Sequence, residues 1–312
     1  MAIPTDRTES YAQIGAMMRD WHLRFEGDLA GMRASFDGTQ KRIALPDGVT
    51  ARDWSEDGLS GQWLSGPGFA SDRVVIYMHG GGYTVGSSKS HRHLAAYLAQ
   101  AAGCEALVLD YRLAPEHPMP AGIEDTMAAF ENVAARVGAG RVALAGDSAG
   151  GGLALAATAA LRDAGRRLPG ALVLFSPWAD MRGQPLEPVE RAAVTEDPEE
   201  IFASMSDAAT QYLSGAGRDD PRASPVCADL SGFPDLLIQV GAGEVMLRDA
   251  LTLATARSGA DVTLEIEAGA PHVWQWFCHE NDWSRAAVRR AGEFLGAKLS
   301  QAYPNIAAVE PV

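Results

Sequence analysis

The chain has 312 residues, and 47% of them are hydrophobic, a size and composition that suit one large α/β domain or a domain with an insertion. The formal net charge of −14 at pH 7 argues against a partner that presents a phosphate backbone, so we expect no nucleic-acid partner.

The first ten residues, MAIPTDRTES, carry charges and lack an apolar core, a pattern that indicates no secretory signal. The longest apolar run, GGLALAATAAL (151–161), is shorter than a bilayer span. Cys104, Cys227 and Cys278 are widely spaced and show neither a disulfide framework nor metal-ligand spacing. We therefore expect a cytoplasmic protein with reduced thiols, no membrane insertion and no metal.

Secondary structure is predicted from the spacing of apolar residues. Positions three and four apart over 8–36 predict an amphipathic helix, and KRIALPDGVTARDWS (41–55) predicts two strands that turn at 46–48. From residue 73 onward, short apolar strands alternate with helices. The strands are predicted over 73–78, 104–111, 141–146, 171–176, 235–241 and 261–267, and the helices near 90–102, 122–137, 149–164, 246–258 and 284–300. This alternation predicts a mostly parallel sheet with helices on both faces.

The alternation stops between residues 180 and 225. This stretch is acidic, contains a predicted helix near 199–213, and is too long for a simple connection. We predict an insertion at about 180–225 that meets N-terminal helices in 1–40 to form a cap. The α/β domain is then predicted over 41–312.

A strand joins a helix through Gly146-Asp147-Ser148-Ala149-Gly150, which matches the pattern G-x-S-x-G. A serine on such a sharp turn projects its oxygen above the sheet, and small flanking residues let the turn close. We therefore predict that Ser148 is a nucleophile. The alternatives are a helix-capping serine and the similar Gly-Asp-Ser of trypsin-like proteases, whose fold would need consecutive strands.

Another strand ends in His79-Gly80-Gly81-Gly82, which offers bare backbone for three residues. Cleavage of an ester passes through a tetrahedral intermediate, whose negative oxygen is stabilised by backbone N–H donors. We predict that the amides of Gly81, Gly82 and Ala149 form this oxyanion hole. The alternative is a tight turn that serves packing alone.

Five segments together resemble one known family: HGGGY (79–83), DYRLAPEHPMPA (110–121), GDSAGG (146–151), SPWADM (176–181) and PHVW (271–274). They are similar to the hormone-sensitive-lipase-like branch of the α/β-hydrolases over roughly residues 70 to 300. The resemblance implies an α/β-hydrolase fold with an eight-stranded sheet and a helical cap, and carboxylester hydrolysis without a cofactor. It also implies that His79 shapes the oxyanion loop and is not the base, and it gives Arg112, Glu116 and His117 no catalytic role.

The general base and its acid should follow the nucleophile in the chain. His272 lies in a loop just past a predicted strand, whereas His279 lies on a predicted helix or its edge, so we predict His272 as the base. The family most often has Asp-Pro-Leu after the strand over 235–241, but this chain reads GAGEVMLRDA. Alignment on that pattern places Glu244 at the acid position. Asp249 is the alternative acid, and it could equally be a capping or solvated residue.

The substrate pocket is predicted between the oxyanion loop and the cap. Tyr83, Trp178 and Met205 are candidate substrate contacts, although each could equally belong to the core. The resemblance suggests short acyl or compact cyclic esters as small-molecule substrates. A monoterpene-lactone hydrolase and an amidase are alternatives on the same triad, and a non-catalytic receptor, as in the gibberellin receptor, is a remote one. The strand DVTLEIE is predicted at a sheet edge, which makes a homodimer possible.

Overall fold

The structure is a computed structural model that describes residues 6–22, 28–38, 43–195, 197–256 and 261–301. The helices of these residues are α1 (Arg7–His22), α2 (Leu29–Gly38), α3 (Ser88–Ala102), α4 (Ala121–Val137), α5 (Ala149–Asp163), α6 (Pro188–Ala193), α7 (Pro198–Leu213), α8 (Leu247–Thr255) and α9 (Asp282–Ser300). The strands are β1 (Thr50–Glu56), β2 (Leu59–Ser65), β3 (Ala70–Met78), β4 (Cys104–Leu109), β5 (Val142–Asp147), β6 (Ala171–Phe175), β7 (Asp235–Gly241) and β8 (Val262–Glu267). None of the helices described here combines the length and the apolar composition that crossing a membrane requires.

The strands form one eight-stranded sheet in the order β1-β2-β4-β3-β5-β6-β7-β8. β1 and β2 pair antiparallel, β2 also runs antiparallel to β4, and the remaining pairs are parallel. The predicted mostly parallel sheet is therefore confirmed. All parallel strands end at one edge, where the loops that follow β3, β5, β6, β7 and β8 meet, and ligands of open α/β sheets bind at this edge.

Helices cover both faces of the sheet, as predicted. Buried side chains of α4, α5 and α8 pack with Val74 and Ile76 on one face, and those of α3 and α9 pack with Val75 and Tyr77 on the other. The alternation of β3 residues between the two clusters follows from the period of two along a strand. Because both faces are covered, the central strands are apolar throughout, which is why the sequence predicts their positions.

The prediction of two N-terminal strands was wrong about where the strands lie in the sequence. The hairpin consists of β1 and β2, and it turns at Asp57 and Gly58, whose φ angles are 50° and 82°. Asp-Gly is a preferred pair for a two-residue turn with positive φ at both positions. The turn predicted at 46–48 exists, but the residues from 43 to 46 form no strand. β1 is mostly exposed and thus lacks the apolar alternation that would have identified it.

The helix predicted over 8–36 is two helices, α1 and α2, and the residues from 23 to 27 lie outside the described part of the chain. Tyr11 and Ile14 of α1 are buried against Ala270 and Trp274, in the loop that follows β8. The segment predicted as an insertion contains α6 and α7. Its assignment to a cap, and the division at residue 40, stay predictions. The same holds for the homodimer, although β8 does lie at a sheet edge.

Candidate active site

Ser148 stands between β5 and α5 in a strained conformation, with φ of 50° and ψ of −120°. Such a conformation costs of order 1–3 kcal/mol in a non-glycine residue, and it persists only where the surroundings enforce it. Its N–H donates to Phe175 O at 2.9 Å, and its own carbonyl accepts the amide of Trp178 at 2.9 Å. Ser148 is half-buried, whereas Asp147 and Ala149 beside it are buried. The turn therefore presents the serine and hides its neighbours.

The glycines that flank Ser148 are required by close backbone contacts. A Cβ atom on Gly150 would lie 2.0 Å from Met78 O, and one on Gly146 would lie 2.5 Å from the Gly150 carbonyl carbon. Either contact is far below the distance that side chains tolerate, so a larger residue would force β3, β5 and α5 apart. The G-x-S-x-G pattern is thus a packing requirement of the turn, as its sequence context predicted.

The loop that follows β3 is also closed by backbone contacts. Gly81 has a φ of 118°, and a Cβ atom there would lie 2.3 Å from Val85 O. Its carbonyl accepts the amides of Thr84 and Val85 at 3.1 and 3.0 Å. Within the described part of the chain, no oxygen accepts the amides of Gly81 or Gly82. These two donors are therefore available to a ligand.

Asp147 connects this loop to the nucleophile turn. Its Oδ1 accepts the Tyr77 hydroxyl at 2.8 Å and the Gly80 amide at 3.1 Å, and its Oδ2 lies 3.5 Å from His91 Nε2. Burial by itself raises the pKa of Asp147, but His91 and the Tyr77 hydroxyl outweigh that effect and hold the pKa below its ordinary value. A buried, ionised carboxylate thus fixes the oxyanion loop beside Ser148.

His79 is neutral and only weakly basic at neutral pH, so it is poorly suited to act as the general base. Burial lowers the pKa of His79 to about 3, and its Nδ1 lies 2.8 Å from Gly80 O. The ring stacks on Tyr111 with 4.4 Å between the ring centroids, and the Tyr111 hydroxyl donates to the His79 carbonyl. These contacts are those of a residue that shapes the loop, in line with the role that the resemblance implied.

The structure brings the predicted base and the predicted acid into contact. His272 Nδ1 and Glu244 Oε2 are 2.7 Å apart, and the side chain of Glu244 is fully buried while that of His272 is 24% exposed. Glu244 Oε1 accepts the Gly241 amide at 2.6 Å and the Ser176 hydroxyl at 2.8 Å. Both carboxylate oxygens are therefore used, and the one that faces His272 is held in place by the bonds to the other.

The end of β6 links this pair to the nucleophile turn. Phe175 O accepts the Ser148 amide, and the next residue, Ser176, donates to Glu244 and accepts the Val273 amide at 3.2 Å. Three loops that follow β5, β7 and β8 are thus joined through one short segment. Ser176 is a residue that the sequence reasoning missed, although it begins the SPWADM segment that carried part of the resemblance.

Asp249 does not face His272. Its Oδ2 accepts the amides of Ala179 and Asp180 at 2.8 and 2.9 Å, so this buried carboxyl in the first turn of α8 holds the loop that follows β6. These contacts hold a loop and neither cap a helix nor leave the carboxyl solvated, and they direct Asp249 away from the role of the acid. Burial raises the pKa of the Asp249 carboxyl to about 7, against the effect of the two amide donors.

This pKa predicts a pH-dependent contribution to stability. In the unfolded chain Asp titrates near a pKa of about 3.9, so between roughly pH 4 and pH 7 the folded state binds more protons at this site than the unfolded state. The free energy of unfolding therefore falls as pH rises through this window. Asp249→Asn retains an acceptor for both amides and removes the buried charge. We expect the variant to gain about 2–3 kcal/mol relative to the wild type between pH 5 and pH 8, measured by urea unfolding at both pH values. A difference that does not change with pH would contradict this assignment.

Two of the three candidate substrate contacts line a cavity of about 300 Å³ between α7 and the loop that follows β6. Trp178 and Met205 form part of its wall, together with Phe202. Tyr83 does not line this cavity: its ring is buried and stacks on Tyr212 with 3.9 Å between the ring centroids. Its hydroxyl lies 2.6 Å from where a Cβ atom on Gly152 would stand, so Tyr83 packs against α5.

Over the residues that the structure describes, no three His, Cys, Asp or Glu side chains are grouped as metal ligands would be. The arrangement brings together a serine on a strained turn, a histidine held by a buried carboxylate, and two glycine amides that no oxygen of the described residues accepts.

Comparisons with known proteins agree with this geometry. A family model described as an alpha/beta hydrolase fold matches residues 75–276. The chain is 40% identical over 285 residues to an acetyl-hydrolase of Streptomyces hygroscopicus, a match that covers 88% of this chain and 92% of that protein. It is 36% identical over 238 residues to the carboxylic ester hydrolase LipN of Mycobacterium tuberculosis, covering 71% of this chain and 59% of that one.

A solved structure gives the same result in three dimensions. The crystal structure of an esterase from the bacterial hormone-sensitive lipase family is similar with a TM-score of 0.87 and 37% identity, covering 95% of this chain and all of the other. Family model, sequence identity and structure agree over most of the chain. The protein therefore belongs to the hormone-sensitive-lipase-like esterases of the α/β-hydrolase family.

Proposed function

We propose that this protein is a serine carboxylesterase that cleaves short or compact acyl esters through an acyl-enzyme on Ser148. The observation that carries the proposal is the 2.7 Å contact between His272 Nδ1 and the buried carboxylate of Glu244, at the sheet edge where the strained turn presents Ser148. A histidine held in this way is suited to exchange protons through its other ring nitrogen.

In the first half of the reaction, Ser148 Oγ attacks the ester carbonyl carbon while His272 Nε2 takes the serine proton. His272 keeps its Nδ1 proton, and the Nδ1–H donates a hydrogen bond to Glu244, which fixes the tautomer and stabilises the imidazolium. The carbonyl oxygen becomes negative and accepts the amides of Gly81, Gly82 and Ala149. Removal of one such donor costs roughly 3 kcal/mol where it has been measured.

The tetrahedral intermediate then collapses: the bond to the alcohol oxygen breaks, His272 Nε2 gives that oxygen the proton, the alcohol leaves, and the acyl group stays on Ser148. A water molecule then attacks the acyl carbon while His272 Nε2 takes one of its protons. The bond between the acyl carbon and Ser148 Oγ breaks, His272 returns the proton to Ser148 Oγ, and the carboxylic acid leaves. Ala149 is the first residue of α5, so the positive end of this helix faces the developing oxyanion and adds to its stabilisation.

The preference for small acyl groups is drawn from the cavity between α7 and the loop that follows β6, one wall of which is Trp178. Its volume of about 300 Å³ is at the lower end of the range of small-molecule pockets, roughly 300–1,000 Å³. Trp178 and Met205 form bulky parts of its wall, and the amide of Trp178 donates a hydrogen bond to the Ser148 carbonyl. A long acyl chain would have to displace these side chains.

We expect kcat/KM on aryl esters to be highest between acetyl and butyryl and at least about tenfold lower for palmitoyl, because overpacking a filled pocket costs about 1–3 kcal/mol. The panel should contain lactones and an anilide with the preferred acyl group. A lactone or the anilide as the best substrate would favour the corresponding alternative on the same triad. A maximum at palmitoyl would contradict the short-acyl preference, and no turnover of any ester would contradict the esterase itself.

A further inference from the structure

An arginine of the N-terminal helix α2 contacts the oxyanion loop directly. Arg33 Nε donates to Thr84 O at 2.8 Å, and one of its terminal nitrogens donates to Ala114 O at 2.9 Å. The same guanidinium forms a two-pronged ion pair with Glu116, with both N–O distances 2.8 Å. One planar group therefore reaches two backbone carbonyls and a carboxylate.

The two carbonyls belong to the two loops that surround the glycines. Thr84 lies two residues after Gly82, and its amide donates to Gly81 O. Ala114 lies in the loop that follows β4, and its amide donates to Tyr83 O at 2.9 Å. The hydrogen bond between Ala114 and Tyr83 links the two loops, and Arg33 binds a carbonyl on each side of that bond. These hydrogen bonds together fix the turn that directs the Gly81 and Gly82 amides.

Two further contacts dock α2 at the same place. Asp37 Oδ1 accepts the Ser87 hydroxyl at 2.6 Å, directly after the loop, and Phe36 stacks on His91 with 5.9 Å between the ring centroids. His91 is also the partner of Asp147, which holds the Gly80 amide from inside the protein. The oxyanion loop is therefore held by Asp147 on its buried side and by α2 on its outer side.

We propose that Arg33 is a positioning residue for the reaction, one that sets the oxyanion loop from the N-terminal helix. The inference rests on the proposed esterase function. A guanidinium presents its donors in a rigid fork, so it fixes the relative position of its three partners in a way that a lysine ammonium cannot. Because donors stabilise an oxyanion only within a narrow geometry, loss of this contact affects the transition state more than substrate binding.

A purely structural ion pair makes a different prediction. The side chains of Arg33 and Glu116 are 28% and 52% exposed, and ion pairs at such exposure contribute little to stability. A residue with that role alone would leave kcat unchanged. A positioning residue lowers kcat while the thermal midpoint stays near that of the wild type.

The experiment compares Arg33→Ala and Arg33→Lys with the wild type and with Arg7→Ala. Arg7 is a matched control, because it is an arginine of the other N-terminal helix whose ion pair, with Glu267, does not involve the oxyanion loop. For each protein, kcat and KM are measured on the best ester of the panel, with the thermal midpoint as a check of folding. A trifluoromethyl ketone reacts with the nucleophile to form a tetrahedral adduct, in which the former carbonyl oxygen is negative. Its binding therefore reports on the oxyanion site itself.

We expect both Arg33 variants to lose about 10- to 100-fold in kcat, with KM changed by less than about threefold, and to bind the ketone more weakly by a similar factor. Arg7→Ala should match the wild type within about threefold. The lysine variant keeps the charge and the stem, so it decides the matter if the alanine variant does not fold.

Two results would overturn the inference alone: Arg33 variants with the kcat and ketone affinity of the wild type, or an equal loss in Arg7→Ala. A wild-type protein that hydrolyses no ester and binds no ketone would instead overturn the proposed function, and this inference with it. The two failures are therefore distinguishable from the wild-type measurement.

Discussion

Ser148→Ala should lower kcat on the preferred ester by about 10⁵- to 10⁶-fold, the largest effect that we expect from any single substitution in this chain. The variant keeps the turn, the oxyanion amides and the His272–Glu244 pair, and it loses only the oxygen that attacks the ester. The residual rate should come from binding and from the oxyanion hole. Steady-state kinetics on the purified variant measures the loss.

The same residue should be labelled covalently. An organophosphonate ester is expected to modify the wild type at the peptide that contains Ser148, as mapped by mass spectrometry, and to leave Ser148→Ala unmodified. Ser231→Ala is a suitable control, because Ser231 lies in a surface turn with Asp229, away from the sheet edge described above. Full activity in Ser148→Ala, or labelling at another residue, would remove the nucleophile assignment.

Glu244→Gln should lower kcat by about 10⁴-fold, the effect of replacing an orienting carboxylate by its amide while the geometry is kept. The amide nitrogen can donate to the histidine and thereby stabilise the tautomer whose proton is on the wrong nitrogen. It also cannot stabilise the imidazolium as a carboxylate does. Because the Glu244 side chain is fully buried, bulk solvent cannot replace the lost charge.

Asp249→Asn is the matched control for this prediction, since it makes the same chemical change five residues further along the chain. We expect at most a few-fold loss in kcat, because its oxygen can still accept the amides of Ala179 and Asp180. Both variants should first be shown to be folded by thermal unfolding. An inactive Asp249 variant beside an active Glu244 variant would reverse the acid assignment without touching Ser148 or His272.

The sheet could be predicted from the sequence because its central strands are buried on both faces and read as apolar runs. The nucleophile turn could be predicted because G-x-S-x-G between an apolar strand and a helix is a local pattern, although Gly150 is also required by its contact with Met78 of β3. In the central strands and the nucleophile turn, the local sequence pattern agrees with what tertiary packing requires. The pattern therefore predicts these parts of the structure correctly.

Other features depend on contacts between distant residues, and the sequence offers no pattern for them. Nothing around Arg33 indicates that it would reach Thr84 and Ala114, more than fifty residues away. Tyr83 is a candidate substrate contact in the sequence because the pocket is predicted between the oxyanion loop and the cap, but its ring is buried and stacks on Tyr212. Alignment on the family pattern favours Glu244 over Asp249 as the acid, whereas only the contacts show what Asp249 binds.

The carboxylate of Asp147 has a consequence for how this enzyme can be altered. Because one side chain, adjacent to the nucleophile, also holds the Gly80 amide and the Tyr77 hydroxyl, the nucleophile turn and the oxyanion loop are thermodynamically coupled rather than modular. Changes to the two segments will not add, and selection for a new substrate that reshapes residues 79–86 will be constrained by the residue before Ser148. A loop transplanted from a relative will keep its geometry only if its own partners for that carboxylate come with it.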